Sequence, residues 1–302
     1  MTTHTVPRLL SAPRCLWDAG TTLGEGACWS GREQALYWVD ILQGRLMCCD
    51  AAGGARREWR FDDTVSALAE RRDHPGLALT LRRGLALFEP ASGQLQRLHE
   101  PEPERAGNRF NDGKCDARGR FWAGSMDFGC EAPTGAWYRF DAQGQAVRVA
   151  DVGWPVTNGP TWSRDGRTMY TNHTVAREVL AWDFDPDSGS IARPRVWLRF
   201  GPHDGLPDGM TTDADGRLWI AHWGAACVTC HDPDTAAELL RVPLPTAHIT
   251  NVAFGGPAQR TLFITSARFG LDAAQLAAEP LAGALFAIDT EVTGLPANTF
   301  AG

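Results

Sequence analysis

The stretch DARGRFWAGSM, residues 116–126, decides the fold of this chain. It reads as a Gly-containing turn followed by an alternating strand that carries a large aromatic, Trp122. The same phrase returns as SRDGRTMYTNH at 163–173 and DADGRLWIAHW at 213–223, with Tyr170 and Trp219 in the aromatic place. Looser copies stand at 31–40 (GREQALYWVD), 256–266 (GPAQRTLFITS) and 74–84 (HPGLALTLRRG). Successive copies are about 42 to 49 residues apart, the period of a four-stranded propeller blade. A second short strand, often ending in an acid, follows each copy: GRLMCCD, GLALFEP, GAWYRFD, EVLAWDFD, ACVTCHD and GALFAID. Six pairs of strands predict an all-β, six-bladed β-propeller of four-stranded blades around a central channel. It spans about residues 15–295, so that 1–302 reads as a single domain without linkers. Helical periodicity is confined to a turn or two near LDAAQLAAEPL.

About eleven or twelve residues before each aromatic strand stand Glu25, Ser66, Asn111, Asn158, Asp208 and Asn251. Equivalent positions in a propeller are related by rotation about its axis, and the innermost strands line the channel. These six polar side chains are therefore expected to form a ring facing the channel. Glycine follows directly in LGEG, TNGP and PDGM, where it allows unusual backbone angles or a close approach. Any one E-G, N-G or D-G pair is ordinarily just a turn. Their matched phase in different blades gives them more meaning. Carboxylates that converge in a channel repel unless a cation neutralises them, so a divalent metal is expected at Glu25, Asn158 and Asp208. An all-oxygen ligand set suits Ca²⁺ first, then Mg²⁺ or Mn²⁺, and three protein ligands leave positions open for water and substrate.

Composition narrows the function further. A net charge of -7 and the absence of a Lys/Arg run leave no footprint for nucleic acid. No stretch approaches the ~18 apolar residues of a membrane helix, and MTTHTVPRLLSAPRCLW lacks the apolar core of a signal peptide, so the chain reads as cytoplasmic. Of eight cysteines, Cys227 and Cys230 form a C-x-x-C with no second pair. They read as alternate positions in a buried strand, with free thiols, rather than as a zinc or redox site. None of the eight histidines has zinc-motif spacing; His222 and His248 read as structural. Trp154, Met126 and Trp223 fall near the expected channel mouth, where packing in the core competes with packing on a sugar ring. The sequence is silent on oligomeric state.

With LGEGACW (23–29), ALYWVDI (35–41), RFNDGKCD (109–116), GRFWAGSM (119–126), TNGPTWS (157–163) and PDGM (207–210) in this order, the chain resembles the gluconolactonase family that includes regucalcin. The resemblance runs from about Trp17 to Asp289. It implies a six-bladed propeller with one central divalent metal, for which Ca²⁺, Zn²⁺, Mn²⁺, Mg²⁺ and Fe²⁺ all occur in the family. It implies Glu25, Asn158 and Asp208 as ligands, Arg109 and Asn111 as substrate contacts, and a sugar lactone from carbohydrate metabolism as substrate. One departure concerns the pocket. Animal regucalcins carry a sugar-binding glutamate shortly after a G-T-M motif, whereas here the stretch is Ser125-Met126-Asp127-Phe128-Gly129.

A lactone is a cyclic ester, and its hydrolysis needs a polarised carbonyl, a nucleophilic water and a stabilised oxyanion. Asp208 is the expected general base, although a carboxylate on a cation is a weak one. The residues leave open whether its free oxygen takes the proton or water activated on the cation attacks directly. Arg109 offers several fixed hydrogen bonds to lactone hydroxyls or oxyanion, against the plainer reading of an ion pair with a nearby acid. No Ser nucleophile elbow is present. Two other readings fit the same residues: a metal-dependent aryl ester or organophosphate hydrolase, and a non-catalytic calcium-binding protein.

Overall fold

The structure, a computed structural model, describes residues 5–302. Met1–His4, which belong to the leader reading and to the 1–302 span, lie outside the described residues. Six four-stranded antiparallel sheets follow one another around a ring, the six-bladed propeller that the repeat predicts. The innermost strands are Gly24–Ser30, Val65–Glu70, Asn108–Cys115, Thr157–Trp162, Leu206–Thr212 and Ile249–Gly255. The aromatic phrases form the second strand of each blade and the acid-ended segments the third. The last blade borrows its outermost strand, Arg14–Trp17, from the start of the chain, where it pairs with Leu285–Asp289. That exchange ties the two ends of the ring by backbone hydrogen bonds. Outer strands such as Arg57–Arg60 and Gln94–Arg97 are largely exposed, and their charged or amide side chains blunt the free edge.

In two of the three close copies of the phrase one carboxylate holds the turn, and in the third Ser163 stands in its place. Asp116 Oδ1 accepts from the backbone N–H of Arg118 and Arg120 at 2.9 and 3.1 Å. Its Oδ2 accepts from Arg120 Nε at 2.6 Å and from the Trp122 indole at 2.9 Å. Asp213 repeats the arrangement with the N–H groups of Asp215 and Arg217, Arg217 Nε at 2.8 Å and the Trp219 indole at 3.0 Å. The acid closes the turn and fixes the arginine. It also satisfies the indole N–H, so that the ring can be buried between blades without an orphaned donor.

The core is six wedges, one per pair of neighbouring blades. Trp29, Trp38 and Phe263 fill the first–sixth wedge, Trp122, Trp137 and Met169 the third–fourth, and Trp219, Ile249 and Phe254 the fifth–sixth. Each fully buried aromatic contributes on the order of 2–3 kcal/mol. The second blade has no aromatic in its second strand, and Leu79 packs there against Tyr37 and Leu68. The helical turn near LDAAQLAAEPL is Ala273–Ala278, started by a capping box between Asp272 and Gln275. All eight thiols are free, and Cys227 and Cys230 lie in the buried strand Cys227–His231. A separation of three puts them on opposite faces rather than on the alternate positions of one face, so they cannot grip one ion together. No helix among the described residues is long and apolar enough to cross a membrane.

Candidate functional site at the channel ring

Glu25, Ser66, Asn111, Asn158, Asp208 and Asn251 all lie buried on the six innermost strands, near the end where each strand begins. In every one of those strands the register with its neighbour slips at or beside the ring residue: Glu25/Cys28, Val65/Ala67, Phe110/Gly113, Asn158/Thr161, Pro207/Met210 and Ile249/Val252. A bulge adds a residue, breaks local pairing and re-aims side chains. Here it recurs with the symmetry of the blades. The following glycines serve it. Gly159 adopts φ +77°, and a Cβ on Gly209 would lie 2.3 Å from Asn251 Nδ2.

Five of the six ring residues are joined by contacts. Asn251 Nδ2 donates to Glu25 Oε2 at 3.1 Å, and Asn111 Nδ2 donates to Asn158 Oδ1 at 2.6 Å. Asn158 Nδ2 donates to Thr174 Oγ1 at 3.0 Å, whose hydroxyl donates on to the carbonyl of Pro207, next to Asp208. The carboxyls of Glu25 and Asp208 are close enough for the charge of Glu25 to raise the pKa of Asp208. Ser66 stands apart and shares its hydrogen bond with Thr80. Arg109 Nη1 donates to Asn111 Oδ1 at 2.6 Å and to the Phe110 carbonyl at 3.0 Å. Among the described residues it has no ion pair with an acid.

Sequence reasoning missed Asp112 and Asn172. Strand alternation sends residues 111 and 112 to opposite faces, but the bulge between Phe110 and Gly113 gives both access to the ring region. Asn251 Nδ2 reaches Asp112 Oδ2 at 3.5 Å. Asn172 sits opposite Asn158 on the second strand and donates to the Asp208 carbonyl. The only sequence signal for Asp112 was its place within RFNDGKCD. Lys114, two residues on, donates to the Met210 carbonyl, and burial lowers its pKa.

Burial dominates the electrostatics. It pushes Glu25 up to about 8, with the charge of Asp112 adding to it, and Asp112 up to about 6. Burial and then Glu25 raise Asp208 well above the carboxylate range. Three buried acids this close need protons or a cation. Buried Oδ1 atoms of Asp208, Asn172 and Asn251 have no hydrogen-bond partner, which is the signature of oxygens awaiting a ligand. Among the described residues no three His, Cys, Asp or Glu side chains form a metal cage alone. The ring instead combines carboxylates with asparagine amides, a hard-oxygen set that fits a divalent cation.

His222 is satisfied structurally, with Nδ1 2.8 Å from the Asp204 carbonyl and Nε2 2.7 Å from Thr229 Oγ1. Trp223 stacks on His248 with ring centroids 3.9 Å apart, and Trp154 on His173 at 4.6 Å. Met126 is fully buried opposite Arg109. Beyond the ring the channel opens into a cavity of about 470 Å³, bordered by Asp112, Lys114, Asn251 and residues 295–298.

Residues 23–268 match the family described as SMP-30/Gluconolactonase/LRE-like region. The chain is 38% identical to an L-arabinolactonase of Azospirillum brasilense, over 95% of each chain. It is 36% identical to a 6-deoxy-6-sulfogluconolactonase of Pseudomonas putida, over 96% of this chain and 98% of that one. The crystal structure of a calcium-binding protein, regucalcin, from Agrobacterium tumefaciens superposes with a TM-score of 0.91 at 28% identity, covering 98% of this chain and 99% of that one.

Proposed function

This chain belongs to the SMP-30/gluconolactonase/LRE-like family, and from that premise we propose that it hydrolyses a sugar lactone to the sugar acid, with one divalent cation held by Glu25, Asn158 and Asp208. The observation that carries this is the pairing of a partnerless, buried Asp208 Oδ1 beside Glu25 with the Arg109–Asn111 hydrogen bond in the same ring. A non-catalytic calcium store has no use for the second half of that arrangement.

A cation held there supplies Lewis acidity to the lactone carbonyl. The protein's own groups do the rest. Arg109, fixed through Asn111 and the Phe110 carbonyl, offers its remaining N–H groups to lactone hydroxyls and to the developing oxyanion. Asn111 orients the amide of Asn158 and positions substrate. Asp208 accepts the proton of the attacking water at the carboxylate oxygen left free of the cation and passes it to the ring oxygen as the ester opens. Calcium is the first choice of cation because the donors are all hard oxygens. The site falls within one propeller covering the chain, which we take as one domain.

The test is base uptake in a pH-stat on a panel of aldonolactones, with and without chelator. Hydrolysis that chelator abolishes and divalent metal restores is the expected result. Stoichiometric metal binding with no turnover of any lactone would instead favour a calcium-binding role, and turnover of aryl esters alone would favour the other hydrolase reading.

A further inference from the structure

Arg82 directly follows the second strand of the second blade, Leu77–Leu81, and its carbonyl accepts from the Phe110 N–H at 3.0 Å, which sets it beside Arg109 at the ring end of the channel. Both guanidinium groups lie against one ring. Arg82 is 5.1 Å and Arg109 6.0 Å from the centroid of Phe128. Phe128 is itself 41% exposed and stands in the stretch where the family's sugar-binding glutamate is missing. The loop that presents it is built firmly. Phe128 N–H donates to the Gly107 carbonyl at 2.9 Å, and Asp127 Oδ2 accepts from the N–H groups of Glu131 and Ala132 at 3.0 and 3.1 Å.

Neither arginine has an acid partner. The acids around Arg82 are committed elsewhere, Glu100 to Arg83, Asp151 to Arg105, and Glu102 to Ser125, Tyr138 and Asn108, while Arg109 feels the charges of Glu25 and Asp208 without an ion pair to either. Glu131, exposed on the same loop, pairs with neither. Arg82 makes one hydrogen bond, from Nη2 to the Ala106 carbonyl at 3.2 Å, and the Nε atoms of both arginines are buried without a partner. Surface arginines elsewhere on this protein are mostly paired. Two unpaired cations on one aromatic at a substrate mouth are costly unless a ligand completes them, and guanidinium is matched to planar or tetrahedral oxyanions.

We propose that Arg82, acting with Arg109 across Phe128, selects lactones that carry a second, anionic oxyanion group remote from the lactone carbonyl. This rests on the lactonase reading of the same site. Arg82 is the specificity determinant in it. Parent enzyme is compared on an aldonolactone and on the same lactone bearing phosphate, sulfonate or carboxylate at its terminal carbon, at low and high salt. We expect kcat/KM at least about tenfold higher for one or more of the anionic forms, mainly through KM, and a preference that shrinks with salt. Arg82→Met should lose at least tenfold more on the anionic lactone than on the neutral one, and Arg82→Lys should recover part of that difference.

Equal rates on all forms, or a preference intact in Arg82→Met, would overturn the inference while leaving the lactonase reading standing. If no lactone turns over, the lactonase reading fails, and thermal-shift titration with the corresponding neutral and anionic sugar acids still tests Arg82. Tighter, Arg82-dependent binding of the anionic acids upholds its role, and equal binding removes it.

Discussion

Asn111 Nδ2 lies 2.6 Å from Asn158 Oδ1, so a residue expected to touch substrate also holds a residue expected to touch metal. The two belong to adjacent blades and are 47 positions apart in sequence. A partner of this kind sets the orientation of a ligand, and its loss typically costs 10–100-fold in metal affinity or activity, a range of about one to two powers of ten.

That contact changes what the two ring variants should do. Asn111→Ala is expected to weaken metal affinity about tenfold or more and to raise KM, with a smaller effect on kcat at saturating metal. Asp208→Asn keeps an oxygen donor but has no useful basicity, so its kcat should fall about 10²–10⁴-fold when metal is saturating. Steady-state kinetics across a metal titration separates the two. Near-parental kcat for metal-loaded Asp208→Asn would make Asp208 a ligand only.

Glu25→Gln should stabilise the metal-free protein while spoiling its response to metal. Glu25, Asp112 and Asp208 crowd three buried acids into one place, so folding without metal forces Glu25 to take up a proton at neutral pH, and the amide removes that cost at constant shape. In chelator at neutral pH the melting temperature should rise, by about 2–4 °C for each kcal/mol relieved. The upward shift on adding Ca²⁺ should shrink. A variant that melts and binds metal like the parent would remove Glu25 from the ligand set.

Asp213→Ala should be the most damaging of the turn substitutions. It leaves the buried Arg217 Nε and the Trp219 indole without their acceptor, while the other two Arg217 nitrogens keep Asp215 and the Thr5 carbonyl. Leaving buried donors unsatisfied in this way costs about 1–3 kcal/mol each, and more where the donor is charged. Asp116→Ala should cost less, because Arg120 and Asp116 are more exposed than Arg217 and Asp213, so water replaces more of what is lost. Denaturant midpoints of the two variants at equal m-value give the order directly.

His222 should confer acid sensitivity. Burial pushes its imidazole down to about 4, below the ordinary value of about 6.5 in an unfolded chain. The unfolded state therefore binds the extra proton, so stability is full above about pH 6.5 and declines as pH falls toward 4, by at most about 3 kcal/mol. His222→Gln should flatten that segment of the stability profile relative to the parent. Comparing the two proteins at each pH cancels the contributions of the ring carboxyls. Parallel profiles between pH 4 and 6.5 would show that His222 titrates normally.

The sequence by itself determined the blade repeat and, through it, the ring. DARGRFW and DADGRLW mark equivalent turns, and a fixed offset from them lands on Glu25, Asn111, Asn158, Asp208 and Asn251. That works because a strand's period and a turn's chemistry are local, and rotation of identical blades carries local equivalence around the axis. Only the tertiary structure decided which ring members meet. Ser66 has the right phase yet turns to Thr80, whereas Asp112 has the wrong alternation yet reaches Asn251. The bulges that cause this arise from how each inner strand fits its neighbours, and period-two reasoning cannot see an inserted residue. The pairing of Arg82 with Arg109 across Phe128 joins three separate segments, so no spacing in the sequence announces it.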